Sequence, residues 1–331
     1  YVPLLHRTYQ MWRQLEQESE RDLMTLNGAL FVGAVNSELV AGSLKSARMH
    51  GLEHELMNAE QLTKRFPAWR LTSDMVAVYE PGAGTLYADA CWTAQLMLAQ
   101  KMGAHLRFGA PVISWSATDS AVSVRTKETE YVADKLVVCP GPWAPELLGG
   151  LDVGFRIQRR VNAFFKPAHP EKVSIDKFPS YCIETDGKFY YGLPAIGEQG
   201  LKVGRHDAGE SCTAATVNRV VDDNEIGELK AFVEHFLPGQ FDVCLDATTC
   251  LYTLTPDEHF VIDVHPEHGN VFVAAGFSGH GFKFGPVVGE ILADLVAAGC
   301  TGHSIDCFAI NRSAVRSSTA KRCADYKSFI E

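Results

Sequence analysis

The sequence lacks long apolar runs and any excess of basic residues, and each absence excludes a class of protein. No stretch approaches the roughly 18 consecutive apolar residues that a membrane-spanning helix needs. Acidic residues outnumber basic ones by 40 to 30, which gives a formal net charge of −10. A chain of that sign has no broad electrostatic attraction to phosphate backbones. We therefore expect neither membrane insertion nor nucleic-acid binding.

Paired cysteines and clustered metal ligands are also missing. The nine cysteines are odd in number, and no two have the CxxC spacing of a disulfide framework or a zinc ribbon. We interpret them as reduced thiols of a cytoplasmic protein, some of them buried. The run His265-Pro266-Glu267-His268 holds two possible ligands. Because no third and fourth ligand stand at a usual spacing, we interpret it as a surface turn and expect no metal.

A third absence concerns nucleotide binding. A dinucleotide-binding domain normally opens with a strand, a GxGxxG turn and a helix, and no GxGxxG occurs in the 331 residues. Hydrophobic residues make up 46% of the chain and charged residues 21%, which is typical of a globular protein. The length predicts about two domains.

The hydrophobic pattern predicts alternating strands and helices at both ends of the chain and a strand-rich middle, which favours an α/β domain interrupted by an α+β insertion. Helices are predicted over residues 3–24, 37–50, 59–66, 89–102, 224–237 and 285–298, and strands over 28–35, 75–79, 112–115, 122–125, 135–138, 157–165, 181–184, 189–192 and 201–204. Residues 260–264 and 271–275 are apolar enough for buried parallel strands. Asn58 with Gln61 predicts a capping box, Gly103 predicts a helix end, and the segment from Asn311 predicts a mobile tail.

The densest chemical signal is the segment Gly276–Lys283, where an apolar strand runs into a glycine-rich turn and a helix. Glycines at 276, 279 and 281 let the backbone approach a ligand closely. The N–H groups that open the helix would bind an anionic or electron-rich group, and His280 and Lys283 add donors or cations there. The alternative is a tight strand-to-helix turn that needs glycine only for its dihedral angles.

Two weaker signals lie in the predicted strands. Alternation places Lys202, Gly204 and His206 on one strand face. Two basic groups beside a glycine leave a hole there, although a solvent-facing edge explains the same pattern. Cys250 is a lone cysteine, and such a residue is more often inert core than nucleophile.

Several segments, in this order and spacing, closely resemble the monomeric sarcosine oxidase family, whose relatives include N-methyltryptophan oxidase and pipecolate oxidase. The segments that carry the resemblance are Glu80-Pro81-Gly82-Ala83-Gly84, Val138-Cys139-Pro140-Gly141-Pro142-Trp143, Tyr190-Tyr191-Gly192, Gly200-Leu201-Lys202, Gly204-Arg205-His206, Cys250-Leu251-Tyr252-Thr253, Asp257-Glu258-His259-Phe260, His265-Pro266-Glu267-His268 and Gly276-Phe277-Ser278-Gly279-His280-Gly281-Phe282-Lys283. The resemblance implies an FAD enzyme that oxidises the C–N bond of a secondary amino acid and passes the electrons to O2, leaving H2O2. Sarcosine, which would yield glycine and formaldehyde, is the expected substrate; N-methyltryptophan and pipecolate or proline are alternatives.

The resemblance also implies roles for individual residues. Cys250 would form a thioether with the flavin 8α-methyl group, and Lys202 would favour electron transfer to O2, because a fixed positive charge stabilises forming superoxide. Lys283 would hold the substrate carboxylate. Tyr191, His206 and Tyr252 would line the substrate cavity. The expected cofactor contacts are Val112, Gly141, Trp143, Cys250, Gly276, Phe277, Ser278, Gly279, His280, Gly281, Phe282 and Lys283. Ile183 and the residues around Cys182 and Lys188 are expected to affect substrate preference.

The implied fold is a two-domain amine oxidase fold, α/β plus α+β. A glutathione-reductase-like FAD domain would comprise residues 1–20, 80–150 and 255–331, and a mixed-sheet substrate domain residues 21–79 and 151–254. The family's opening strand, its GxGxxG turn, its ribose-binding acid and an Arg-bearing stretch have no counterpart in this sequence. We therefore expect a fragment of a longer protein, whose FAD binding would be weak or absent if these residues were the whole chain. We also expect a monomer. A catalytically silent remnant that only binds ligand, and a dehydrogenase that avoids O2, are the other possibilities; Lys202 argues against the dehydrogenase.

Overall fold

The computed structural model describes residues 1–316. Its helices are α1 (Val2–Ser19), α2 (Glu38–His50), α3 (Ala59–Arg65), α4 (Ala88–Lys101), α5 (Ala144–Leu147), α6 (Pro170–Val173), α7 (Asp223–Phe236) and α8 (Gly285–Ala298). The strands are β1 (Met24–Thr25), β2 (Ala29–Ala34), β3 (Glu55–Asn58), β4 (Met75–Glu80), β5 (Thr85–Leu86), β6 (Ser114–Ala117), β7 (Val122–Arg125), β8 (Glu130–Ala133), β9 (Leu136–Val138), β10 (Arg156–Pro167), β11 (Ser180–Thr185), β12 (Lys188–Leu193), β13 (Leu201–Arg205), β14 (Glu210–Cys212), β15 (Phe241–Leu254), β16 (Val261–His265) and β17 (His268–Ala275).

The largest layer is a nine-stranded mixed sheet in the order β14-β10-β13-β12-β11-β2-β4-β3, with β15 paired to β10. Alternation along each strand sends one set of side chains into an apolar core, which includes Tyr181, Ile183, Leu201 and Val203. Helix α7 covers that core with Leu229, Phe232, Val233 and Phe236. Burying four such side chains stabilises the layer by about 1.5–3 kcal/mol each. The other face of the sheet is therefore free to carry polar side chains.

A second, three-stranded sheet has the order β16-β17-β9. Strands β16 and β17 form an antiparallel hairpin whose register begins at Val261 and Ala275, so the expectation of two parallel strands there was wrong. The parallel neighbour of β17 is β9. Apolar content alone could not separate these cases, because both strands are buried on both faces.

The connection between β16 and β17 explains the two histidines of that segment. His265 pairs with His268 across a turn formed by Pro266 and Glu267. The two imidazole rings stack at 4.9 Å, and Trp115 meets both rings edge-on. The hydrophobic interior of this sheet continues into α8 and α1 through Phe260, Ile262, Phe272 and Ile291.

Most predicted elements are confirmed, with changes at their ends. The Asn58–Gln61 capping box is present, and Gly103 has the positive φ of 98° expected after a helix end. Helix α1 ends at Ser19 rather than at residue 24, because the Glu16 carboxylate accepts hydrogen bonds from the backbone N–H groups of Leu23 and Met24.

Other elements differ more. The strand predicted at 112–115 lies at Ser114–Ala117. The elements without a counterpart in the prediction are the strands β3 and β15 and the short elements β1, β5, β8, β14, α5 and α6. The mobile tail expected from Asn311 begins within the described residues, and Val315 of that segment is fully buried. Residues 317–331 lie outside the described residues. The division of the chain into a cofactor domain and a substrate domain stays a prediction.

Candidate active site

The polar face of the large sheet brings together residues from five strands. Since Val203 and Ile183 point into the core, their strand neighbours point the other way. Cross-strand register places Asn162, Gly204, Tyr191 and Cys182 in one row across four strands. Arg160 and Cys250 pair in a second row beside it. The residues of this face are Cys250 and Tyr252 on β15, Arg160 and Asn162 on β10, Lys202 and Gly204 on β13 with His206 just beyond it, Tyr191 on β12, and Cys182 on β11.

The expectation that Lys202, Gly204 and His206 share a face is confirmed. The space above Gly204 is filled, however, rather than left as a hole. A Cβ at Gly204 would lie 2.7 Å from both Oδ1 of Asn162 and the Tyr191 ring. The Tyr191 hydroxyl donates to that Oδ1 at 2.7 Å. Glycine is thus needed here because a hydrogen-bonded pair lies directly over the strand.

Cys250 belongs to the same network. The side-chain amide of Asn162 donates to the Cys250 Sγ at 3.5 Å, so Asn162 bridges Cys250 and Tyr191. Burial raises the pKa of Tyr191 well above its ordinary value, and the phenol therefore stays protonated. Cys250 is half-buried and forms no disulfide among the described residues.

His206 and Tyr252 form a second pair. Nδ1 of His206 lies 3.3 Å from the Tyr252 hydroxyl, and the two rings are 5.3 Å apart. Burial, with the positive charges of Arg160 and Lys283, lowers the pKa of His206 to about 4. Burial also raises the pKa of Tyr252. At neutral pH both side chains are therefore uncharged.

The glycine-rich segment after β17 closes over this pair. The backbone N–H of Ser278 donates to the Thr253 carbonyl at 3.0 Å, and the Ser278 hydroxyl donates to the Gly276 carbonyl at 3.2 Å. A Cβ at Gly279 would lie 2.1 Å from the Tyr252 ring, and Gly279 has a positive φ of 82°. Both the close approach and the dihedral angle require glycine. These contacts are those of a tight structural turn; that the loop also faces a ligand stays a prediction.

Lys283 ends that segment. Its side chain is exposed, yet neighbouring groups displace much of the water around the ammonium group and lower its pKa. The pKa of half-buried Lys202 is lowered for the same reason. In residues 1–316 no carboxylate lies within ion-pair distance of either ammonium group.

Other residues predicted for the cofactor take different positions. Burial lowers the pKa of His280 to about 4, and its Nε2 donates to the Glu258 carbonyl at 3.1 Å. Of the cation or donor expected at this position, it is a neutral donor, and that donor is already engaged. Phe277 packs against Phe260 at 4.8 Å. Phe282 is 49% exposed and stacks on Trp12 at 6.2 Å, so it contacts α1.

The predicted segment Gly141–Trp143 forms a 3-10 turn that contacts β15, the strand of Cys250. Gly141 opens it with a positive φ of 54°, and Trp143 is 55% exposed. Val112 is 42% exposed in the segment before β6. Among the described residues, Gly141, Trp143 and Val112 form no hydrogen bond with Lys202 or with Lys283.

The structure corrects one specificity expectation and adds residues that the sequence reasoning missed. Ile183 is fully buried in the core on the α7 side, so it does not line the polar face, whereas Cys182 does. Lys188 is engaged with Glu228 at 3.1 Å. Arg160 and Asn162 were missed, although their even spacing within a predicted strand placed them on one face.

Comparisons with known proteins agree with this geometry. The profile of the family described as FAD dependent oxidoreductase matches residues 1–295. A monomeric sarcosine oxidase of Streptomyces avermitilis is 42% identical over 319 residues, which are 95% of this chain and 83% of that protein. An N-methyl-L-tryptophan oxidase of Salmonella heidelberg is 32% identical over 94% of this chain and 83% of its own length.

A solved structure of similar fold is the open form of NikD, an amino acid oxidase essential for nikkomycin biosynthesis. It superposes with a TM-score of 0.82 at 24% identity, covering 93% of this chain and 82% of NikD. Among residues 1–316, no helix has the length and hydropathy that crossing a membrane requires. The chain belongs to the FAD-dependent oxidoreductases, within the group of the monomeric sarcosine and N-methyl-L-tryptophan oxidases, and is an FAD-dependent amine oxidoreductase.

Proposed function

We propose that this protein oxidises the C–N bond of a small secondary amino acid, with sarcosine as the preferred substrate. Overall, sarcosine, water and O2 would give glycine, formaldehyde and H2O2. The observation that carries the proposal is the pair of ammonium groups, Lys202 and Lys283, which lie around one polar face together with two neutral phenols and a neutral imidazole. The two ammonium groups attract a carboxylate, and the neutral phenols and imidazole place no charge of their own beside an amine nitrogen.

The residues present fit the redox-active end of FAD. Cys250 supplies a half-buried thiol on the open face, and Lys202 supplies a cation whose burial is not compensated by any carboxylate in the described chain. When bound, the flavin supplies the two-electron acceptor. We propose that Cys250 attaches it covalently through Sγ, and that the Gly276–Lys283 segment and the Gly141–Trp143 turn hold it in place.

The protein's own residues would then divide the remaining work. Lys283 would bind the substrate carboxylate by charge attraction in a partly desolvated space, where such attraction is stronger than in water. Tyr191 and Tyr252 would orient the cationic amine by accepting its N–H groups at their hydroxyl oxygens, since their own protons are directed to Asn162 and His206, and neutral His206 would not repel it. Lys202 would stabilise the negative charge that forms when O2 is reduced.

The name of the relatives called monomeric sarcosine oxidase supports a monomer that acts on a small amino acid. A cytoplasmic location stays a prediction, supported by unpaired cysteines at eight described positions.

The test is a visible spectrum of the purified chain, followed by anaerobic addition of sarcosine, N-methyltryptophan or pipecolate in separate cuvettes. Bleaching of the flavin absorbance by sarcosine at the lowest concentration supports the proposal. Bleaching by a bulky substrate in preference to sarcosine replaces the substrate assignment. A yellow protein that none of the three reduces would contradict the proposed function, and a colourless one would contradict it for these 331 residues, since no flavin would be present to accept electrons.

A further inference from the structure

Arg160 is a buried cation that the proposed chemistry does not use. Its side chain lies on the polar face of β10 and the residue is 4% exposed. In the described part of the chain it has no carboxylate within ion-pair distance. Burial lowers the pKa of the guanidinium. A buried charge without a paired acid is destabilising.

Those contacts all lead to the candidate site. Nε donates to the backbone carbonyl of His206 at 3.0 Å, and Nη2 donates to Oε1 of Gln158 at 2.8 Å. The guanidinium carbon lies 4.8 Å from the centroid of the Tyr252 ring, within the range of a cation–π contact. One side chain thus touches both members of the His206–Tyr252 pair.

A glycine supports the guanidinium from behind. A Cβ at Gly209 would lie 1.7 Å from Nη1 of Arg160 and 2.3 Å from the Arg159 carbonyl oxygen. The φ angle of Gly209 is not in the left-handed region, so close approach, not backbone conformation, is what requires glycine. Nη1 is buried and has no hydrogen-bond partner among the described residues. The position of Nη1 is therefore set by its packing against the turn that contains Gly209.

We propose that Arg160 is a positioning residue: by contacting the Tyr252 ring and the His206 backbone together, it holds the Tyr252 hydroxyl at Nδ1 of His206. Its fixed charge also disfavours a second positive charge on the imidazole. His206 then keeps a free Nδ1 lone pair for the phenol through the range in which an ordinary histidine titrates. The 3.3 Å separation of Nδ1 and the hydroxyl oxygen is the contact that this arrangement maintains.

Arg160 is the main charged group that faces His206 from β10. Asp207 is the nearest acid and opposes the effect, but its carboxylate is engaged with Arg205 at 2.8 Å and 3.0 Å. The titratable or charged groups that face His206 are Arg160 from β10, Tyr252 from β15, Tyr191 from β12, Asp207 in the following turn, and His280 and Lys283 from the glycine-rich segment.

The experiment is a histidine-selective 15N NMR titration of the full chain between pH 5 and 8, with R160Q, R160K and the parent. We expect His206 of the parent to remain neutral throughout. R160Q should raise its apparent pKa by about one unit, enough for protonation to begin near pH 5, because a neighbouring positive charge is removed although burial, the larger cause, remains. R160K should stay within about 0.3 unit of the parent. An unchanged His206 signal in folded R160Q overturns the proposal.

Turnover gives a second readout, which rests on the proposed function. R160K retains the charge but loses the planar contact with Tyr252. We expect its kcat/KM to fall about tenfold without movement of the acid limb of the pH profile, whereas R160Q should show both changes. If R160Q does not fold, G209A displaces the guanidinium without removing it. An unaltered His206 signal and unaltered kcat/KM in G209A would equally overturn the proposal.

The matched control is Arg159→Gln, which removes an arginine from the adjacent position. Arg159 points to the α7 side and pairs with Glu225. Its loss should lower stability and leave the His206 titration where it is; a shift as large as that of R160Q would reduce Arg160 to a structural role. A parent protein that no secondary amino acid reduces would defeat the proposed function, yet the NMR titration would still decide the role of Arg160.

Discussion

The indole Nε1 of Trp12 donates a hydrogen bond to the backbone carbonyl of Lys283 at 3.0 Å. The hydroxyl of Thr8, one helical turn earlier, donates to the same carbonyl at 2.9 Å. Both donors lie on α1, and both residues are 1% exposed. Helix α1 therefore fixes the end of the glycine-rich segment, and with it the ammonium group proposed to bind the substrate carboxylate.

This relationship predicts a binding defect from substitutions that do not touch substrate. Trp12→Phe combined with Thr8→Val removes both donors and retains most of the side-chain volume. Each lost hydrogen bond is worth about 1 kcal/mol, so we expect the substrate concentration for half-maximal flavin reduction to rise about tenfold or more. The limiting reduction rate should change less, because no reacting group is altered. Stopped-flow reduction under anaerobic conditions measures both quantities.

The control for the loss of an indole is Trp92→Phe, since Trp92 lies on α4 and is 56% exposed. It should leave both quantities within about twofold, as expected for a surface substitution. If the double variant reduced flavin with the parent's half-saturation, the link from α1 to Lys283 would have no functional meaning.

Covalent attachment through Cys250 predicts where the colour goes after acid precipitation. In the parent, the yellow colour should stay in the pellet. In Cys250→Ser it should move to the supernatant, because serine has no sulfur atom with which to form the thioether. Cys244→Ser is the matched control, since Cys244 lies on the same strand and its Sγ donates to the Asp246 carbonyl. Colour retained in the Cys250→Ser pellet would assign the attachment to another residue.

Lys202 predicts a separation of the two half-reactions. Lys202→Met retains length and removes the charge, so we expect reoxidation by O2 to slow by about 10²-fold or more, the order seen when one electrostatic group is removed. Reduction by substrate should slow less than tenfold. Lys188→Met, which breaks the Lys188–Glu228 pair on the other side of the sheet, should affect neither step. Equal slowing of both half-reactions by Lys202→Met would remove its assigned role.

Alternation along strands predicted much of this site, because a period of two needs only local sequence. It placed Lys202, Gly204 and His206 on one face, as the structure confirms. The same rule could not show that Asn162 and Tyr191 fill the space above Gly204, because that contact depends on the register between three strands. Register is a property of pairing, and a single sequence does not display it.

Arg160 and β15 were missed for related physical reasons. Charged residues in a predicted strand usually mark a solvated edge, whereas Arg160 is buried by the turn at Gly209 and the ring of Tyr252. Strand β15 is long, but most of its residues are half-buried or exposed, so its apolar pattern is weak. Its place in the sheet comes from an extended pairing with β10, which is a long-range interaction.

His280 predicts how stability depends on pH. Burial lowers its pKa in the folded protein to about 4, whereas an unfolded histidine titrates near 6.5. Between these values the unfolded chain binds a proton that the folded chain does not, so the free energy of unfolding falls as pH falls. At pH 5 this group should cost about 2 kcal/mol relative to pH 7.

His280→Gln cannot titrate, and glutamine still offers a donor to the Glu258 carbonyl. We therefore expect the variant to lose about 2 kcal/mol less stability than the parent between pH 7 and pH 5. Urea unfolding at both pH values, followed by tryptophan fluorescence, measures this difference. His50→Gln, a substitution on the exposed surface of α2, is the matched control for replacing a histidine by glutamine. If His280→Gln loses as much stability as the parent on acidification, then His280 titrates in the folded protein as it does in the unfolded chain, and burial does not keep it neutral.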